Sequence, residues 1–160
     1  TIHTNSAVST INRLLDMWVK PFLIAWTINA IQAQRLVRRV CSNCVEKYSP
    51  DEHIIADIKK ELEWLSDSEW IDISWLDWVV LSRWTWCNQC NNTWFKWRMW
   101  VYEVLNIDRE LEEMIVAWEW ELSILKKAKE KWFVTLLQDW IIKAIAWLTT
   151  IEEVFNISNN

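Results

Sequence analysis

A chain of 160 residues with net charge -5 and a pI near 5.1 has room for one ordinary domain or two small ones. The acidic balance excludes nucleic acid as the main partner, because phosphate binding needs a net basic surface. No run approaches the ~18 apolar residues of a membrane span, no signal peptide opens the chain, and the absent initiator Met is expected of a fragment cut from something longer.

In chain order, Ala7, Val8, Ile11, Leu14 and Leu15 recur at helical spacing across residues 6–17, with Asn5 or Ser6 as N-cap. A second helix is expected from Pro21, with Phe22, Ile24, Ala25, Ile28 and Ile31 on its apolar faces. Residues 36–40 read as a short strand. Ser49-Pro50-Asp51-Glu52 predicts a helix start, with Ser49 capping, Pro50 in the first turn and Glu52 completing a capping box, and the helix carries Ile54, Ile55, Ile58 and Leu62. Residues 64–77, with Ser66-Asp67-Ser68-Glu69, read as a polar connector. Trp78 to Ser82 and Phe95 to Leu105 predict strands. Asp108 is the expected cap of a helix carrying Leu111, Met114 and Ile115, and a second helix carries Leu122, Leu125 and Ala128. A third, capped by Thr135, carries Leu136, Leu137, Ile141, Ile142 and Ile145. A last helix begins at Thr149 or Thr150, where Thr150 and Glu153 form a capping box.

Two counts are abnormal: Gly is 0 and Trp is 16. Average usage near ~7% would give about 11 glycines, and helix ends and tight turns need positive φ, which glycine adopts most cheaply. Trp18, Trp86, Trp94, Trp118, Trp132 and Trp140 all stand where helix-stop and turn logic places glycine. The pattern reads as glycine replaced by tryptophan throughout, by design or by a recording error. The alternative is a natively Trp-rich chain with exposed apolar patches.

All four cysteines fall into two Cys-x-x-Cys pairs, Cys41-Ser42-Asn43-Cys44 and Cys87-Asn88-Gln89-Cys90. A two-residue spacer lets both thiolates of a knuckle face one ion, and two knuckles complete a tetrahedral, structural zinc site. Two disulfides or four separate thiols are the alternatives, but a reducing compartment disfavours disulfides, and a redox pair would need only one such motif. A closed four-thiolate site leaves no open position for substrate, so its expected role is structural.

Further residues suggest a family. Thr1-Ile2-His3-Thr4-Asn5 resembles the histidine box of the type II secretion and type IV pilus-assembly ATPases, the GspE/PilB type. Arg13-Leu14-Leu15-Asp16-Met17, Pro21-Phe22-Leu23-Ile24-Ala25 and Ala33-Gln34-Arg35-Leu36-Val37-Arg38 resemble that family's path into its tetracysteine motif. The stretch from Asn91 to Glu103, and Trp147-Leu148-Thr149-Thr150-Ile151-Glu152-Glu153-Val154, resemble later family signatures with Trp where the family has Gly.

The resemblance spans essentially the whole chain. It implies an α/β, mostly helical fragment: the tail of a RecA-like ATPase core (1–40), a tetracysteine zinc-binding subdomain (41–102) and a C-terminal helical domain (103–160). It further implies a homo-hexamer on the cytoplasmic face of the inner membrane, peripheral to it, docked on secretion or pilus platform proteins and using ATP and Mg²⁺. With no Gly there is no intact phosphate-binding loop in these residues, so this stretch alone is expected not to hydrolyse ATP.

His3 would then sit near the γ-phosphate, against the plainer reading of an exposed terminal histidine. His53, in the first turn of a helix, is expected to be inert. Arg35, Arg38 and Arg39 are either subunit-interface or phosphate contacts, or a solvated strand face. Arg98 receives no chemical step. Glu152 and Glu153 read as helix capping and dipole compensation, and Glu110, Glu112 and Glu113 as a solvated face. The competing functions are a stand-alone zinc-stabilised interaction module, and an altered Gly-to-Trp chain without function.

Overall fold

The computed structural model describes residues 2–66, 74–85 and 87–158. Its elements are α1 (Ala7–Asp16), α2 (Pro21–Thr27), β1 (Ala30–Val40), β2 (Val45–Tyr48), α3 (Glu52–Ser66), β3 (Leu81–Trp84), β4 (Phe95–Asn106), α4 (Arg109–Val116), α5 (Glu121–Glu130), α6 (Leu136–Ile145) and α7 (Ile151–Ser158). The fold is mixed α/β. Strand β1 pairs with β4, and β2 pairs with β3. The chain forms two compact units, one of residues 1–34 and 102–136, the other of residues 35–101 and 137–160.

In the first unit, α1 opens on a reciprocal capping box. Ser6 Oγ accepts from the Ser9 N–H, and Ser9 Oγ accepts from the Ser6 N–H, at 3.0 and 3.1 Å. The apolar stripe of α1 buries Ala7, Val8 and Ile11 against Ile24, Ala25, Leu111, Ile115, Ile124 and Phe133. Asp108 caps α4 as its sequence predicts, accepting from the Leu111 N–H at 3.1 Å.

Glu110 is more than a solvated carboxylate. It pairs with Lys127 at 3.3 Å and with Lys131 at 2.5 Å, and Lys131 also reaches Asp108 at 2.5 Å. The Lys131 hydrogen bond is the main reason the Asp108 carboxyl is held below its ordinary pKa, against a smaller opposing effect of burial. A depressed carboxylate pKa stabilises the fold above the unfolded value, and that contribution is lost as pH falls through the folded value. The Asp108 side-chain resonance should therefore titrate below the usual aspartate range, and Lys131→Met should return it there. An unchanged NMR titration in that variant would refute the pairing.

Three expectations for this half of the chain are corrected. The Pro21 helix ends at Thr27 rather than reaching Ile31, because Ile28 turns to an extended backbone (φ -99, ψ 114) and Ala30 starts the strand. Ile31 is then buried as an inward strand residue rather than on a helix face, on the same side of β1 as Val37, which the sequence already placed in a strand. Helix α3 starts at Glu52 rather than at Pro50, and the Asp51 carbonyl accepts its first bond from the Ile55 N–H at 3.1 Å. Asp51 has the residue type of a cap as much as Ser49 does, and it lies two residues closer to the helix.

The expected polar connector is helical through Ser66, residues 67–73 lie outside the described residues, and Ser74–Trp78 forms a 3₁₀ turn. The strand expected from Trp78 is consequently displaced to Leu81–Trp84, where it pairs antiparallel with the unpredicted β2 in the register Tyr48↔Leu81, Lys47↔Ser82 and Glu46↔Arg83.

The second unit ties its C-terminal segment to its strands through buried polar groups. Thr149 Oγ1 donates to the Arg38 carbonyl at 2.9 Å, Ser82 Oγ donates to the Thr149 carbonyl at 3.2 Å, and the Val40 N–H donates to the Leu148 carbonyl at 3.1 Å. Thr150 caps α7 through the Glu153 N–H at 3.3 Å, but the Glu153 carboxylate does not complete the box. It is buried and binds the Arg38 guanidinium through both oxygens, while Arg38 stacks 4.2 Å from the Phe95 ring centroid. Glu152 accepts from the Tyr48 hydroxyl at 3.3 Å. Of the basic cluster, Arg38 is thus committed to holding α7.

Eight described residues have positive φ, and six of them are tryptophan: Trp18, Trp94, Trp97, Trp118, Trp132 and Trp147. The others are Asn91 and Asn92, a residue type that tolerates this region. Four of the six end helices in one motif. The Trp18 N–H bonds to Leu15 C=O and the Val19 N–H to Leu14 C=O, and the same pair of bonds recurs at Trp118, Trp132 and Trp147. This is the Schellman motif, whose C′ residue is usually glycine. Trp140 departs from the expectation: it lies inside α6 and is buried, with no hydrogen-bond partner for its indole N–H among the described residues. Trp86 lies outside the described residues.

Candidate metal centre

The first knuckle leaves β1 at Cys41 and returns into β2 after Cys44. The Cys41 N–H donates to the Trp94 carbonyl at 2.9 Å, and the Cys44 carbonyl accepts from both the N–H and the hydroxyl of Thr85, at 2.9 and 3.2 Å. The second knuckle is braced by its own asparagine. Asn92 Oδ1 accepts from the Cys87 N–H at 3.0 Å, and the Asn92 N–H returns a bond to the Cys87 carbonyl at 3.1 Å. Thr93 Oγ1 donates to the Cys90 carbonyl at 2.6 Å. Asn43 Nδ2 donates to Gln89 Oε1, so the spacer residues of the two pairs bind each other as well.

The result brings four sulfurs from remote chain segments within 4.8 Å of one another. Cys41, Cys44 and Cys90 are buried, Cys87 is half-buried, and none is disulfide-bonded. For a tetrahedral ion with metal–sulfur bonds near ~2.3 Å, adjacent sulfurs lie about 3.8 Å apart. Cys44 Sγ and Cys90 Sγ are 3.8 Å apart. The residues present therefore fit a four-sulfur metal site.

Their acidities are linked. Burial first, then hydrogen bonding with Cys90 and Cys41, pushes the Cys44 thiol up to about 12. Burial also opposes charge on Cys90, but hydrogen bonds from the Trp94 backbone and from Cys44, Cys87 and Cys41 outweigh it and pull Cys90 down. Of the two sulfurs, Cys90 therefore gives up its proton more readily than Cys44.

His3 is exposed and lies ahead of the Ser6 cap. An open groove of about 440 Å³ runs the length of α1, lined by Thr4, Ser6, Asn12, Arg13, Asp16 and Glu121 among others, and His3 is not part of its lining. His53 is exposed on α3, Arg39 and Arg98 are exposed, and Arg35 is half-buried.

One polar residue was not singled out from the sequence. Glu103 is 3% exposed, yet its carboxylate accepts from the Ala7 N–H and, at 2.9 Å, from the Leu136 N–H. A signal for it existed: Val101 and Leu105 mark the inward face of β4, and a glutamate at the position between them must find buried donors.

Comparison with known proteins matches residues 1–156 to the family described as type II/IV secretion system protein. The type IV pilus assembly ATPase PilB of Thermus thermophilus is 34% identical over 154 residues, covering 96% of this chain and 16% of that protein. The type II secretion system ATPase E of Vibrio cholerae is 32% identical over 158 residues, covering 99% of this chain and 29% of that protein. PilB of Pseudomonas aeruginosa is 30% identical over 161 residues, covering 100% and 26%. The chain thus spans less than a third of each of these relatives, while almost none of it falls outside the match. By this match, the chain belongs to the type II/IV secretion system protein family.

Proposed function

We propose that these 160 residues are the C-terminal region of a hexameric ATPase that powers type II secretion or type IV pilus assembly. The observation that carries the reading is the family match over residues 1–156, with relatives named as ATPases of both systems. In this reading residues 1–40 are the tail of a RecA-like core, 41–102 the tetracysteine subdomain and 103–160 the C-terminal helical domain. ATP and Mg²⁺ bind elements contributed from outside these residues, since a phosphate loop needs a Gly-Lys pair and no lysine in this stretch follows a glycine or a tryptophan standing at a glycine position. His3 lies in the segment facing the γ-phosphate.

The ion held by Cys41, Cys44, Cys87 and Cys90 is zinc. Four buried or half-buried thiolates suit a soft-tolerant tetrahedral cation, and a closed set of this kind supports structure rather than turnover. When bound, zinc keeps the thiolates deprotonated and joins the two knuckles. No helix among the described residues is long and apolar enough to cross a membrane. That agrees with a protein acting at the cytoplasmic face of the inner membrane through platform proteins.

The test uses the full-length protein. Mg²⁺-dependent ATP hydrolysis, a hexameric mass in solution and one zinc per chain are expected, with no hydrolysis by residues 1–160 alone. His3→Ala should lower kcat at unchanged zinc content. A full-length protein that neither binds nor hydrolyses ATP would overturn the assignment.

A further inference from the structure

We propose that Glu103 is a positioning residue that anchors the histidine-box segment, an inference that rests on the ATPase reading above. Its carboxylate is buried, and both oxygens are used. One accepts from the N–H of Ala7, the first residue of α1, and the other from the N–H of Leu136, the first residue of α6. The first amides of a helix have no partner within the helix, and its N-terminus favours negative charge. Two such amides on one carboxylate make up for its removal from water.

Ala7 follows the Ser6 cap and lies four residues after His3. The Ser6–Ser9 box fixes the turn of the chain into α1, but both of its members belong to that same turn. Beside the apolar packing of Ala7 and Val8, Glu103 gives this turn a directional polar contact with a different element, β4. A rigid strand thereby sets where the segment carrying His3 leaves α1. Small displacements of a group that must meet a transferring phosphate are costly, because phosphoryl transfer depends on positioning.

Glu103→Gln keeps the volume but presents an NH₂ donor to one of the two amides. Glu103→Asp keeps the charge and withdraws it by one methylene. In the full-length protein either variant is expected to lower kcat roughly tenfold or more, with KM for ATP within about twofold and zinc content unchanged. In the same full-length variants, amide hydrogen exchange at Ala7 and Leu136 should accelerate. Unchanged kcat alongside faster exchange would reduce Glu103 to a structural cap and overturn the proposal, as would unchanged exchange. An unaltered full-length protein without ATPase activity would overturn the parent reading and the catalytic half of this one. The exchange rates would still test the anchoring half.

A different observation carries a second inference. We infer that in the protein made by its source organism the residues at the left-handed tryptophan positions are glycine, inserted at a codon that other translation systems decode as tryptophan. Four Schellman ends and two further positive-φ positions call for glycine, and the chain contains 0 Gly beside 16 Trp. One reassigned codon, UGA, accounts for excess and deficit together, whereas independent substitutions would have to fall repeatedly on turn positions. Peptide masses of the native protein should carry glycine at positions 18, 94, 97, 118, 132 and 147. Tryptophan in those peptides would overturn the inference.

Discussion

Exchanging Trp18, Trp118, Trp132 and Trp147 for glycine together is expected to raise the unfolding free energy by about 4–8 kcal/mol, from ~1–2 kcal/mol of left-handed backbone strain at each site. The gain should differ among the four for reasons visible at each. Trp18 is 94% exposed, so its indole contributes almost no burial, and Trp18→Gly should show the backbone effect nearly undiluted. Trp147 should gain least, because its indole N–H donates to the Val80 carbonyl at 2.7 Å and Lys47 lies 3.3 Å above its ring. Trp26 supplies the control. It is 76% exposed but lies within α2 and lacks positive φ, so Trp26→Gly should cost about 1 kcal/mol. Denaturant melts of the single variants decide the matter. If Trp18→Gly loses stability as Trp26→Gly does, the left-handed positions are not what strains this chain.

Removing the metal is expected to have the larger effect on the second unit. Zinc binding to structural thiolate sites is worth on the order of 10 kcal/mol in small domains at neutral pH, comparable to the whole stability of an ordinary domain. Chelation of the purified chain, or Cys44→Ser, should therefore abolish cooperative unfolding of residues 35–101 and 137–160. The first unit, with its own apolar core, should keep helical signal. Because the ligands bind metal only when deprotonated, metal should also be released as pH falls. Metal analysis, circular dichroism and hydrogen exchange on the same samples test this. A Cys44→Ser chain that melts as the unaltered one does would remove the metal from the account of the fold.

Most helices were legible because their signals are local. Ser6, Asp108 and Thr150 each start a helix through a side chain three residues from the amide it satisfies, and the apolar spacing of Ile11, Leu111 and Ile141 marks the buried face without reference to the rest of the chain. The misplaced boundaries have a shared cause. Ile28 and Ile31 fit a helical stripe and a strand equally well over so short a window, and only pairing between β1 and β4 selects the strand. Strand β2 has four residues and no pattern of its own, and its partner β3 lies more than thirty positions further along.

The two Cys-x-x-Cys spacings by themselves determined that there would be two knuckles, and Trp18, Trp94, Trp118 and Trp132, though not Trp140, marked turns that need a left-handed residue, since both constraints act over a few consecutive residues. Whether the knuckles meet, which acid goes to Arg38, and what satisfies Glu103 were decided only by tertiary structure. Each of those joins groups more than 30 positions apart, and the energy of such a contact depends on burial that no local run of sequence specifies.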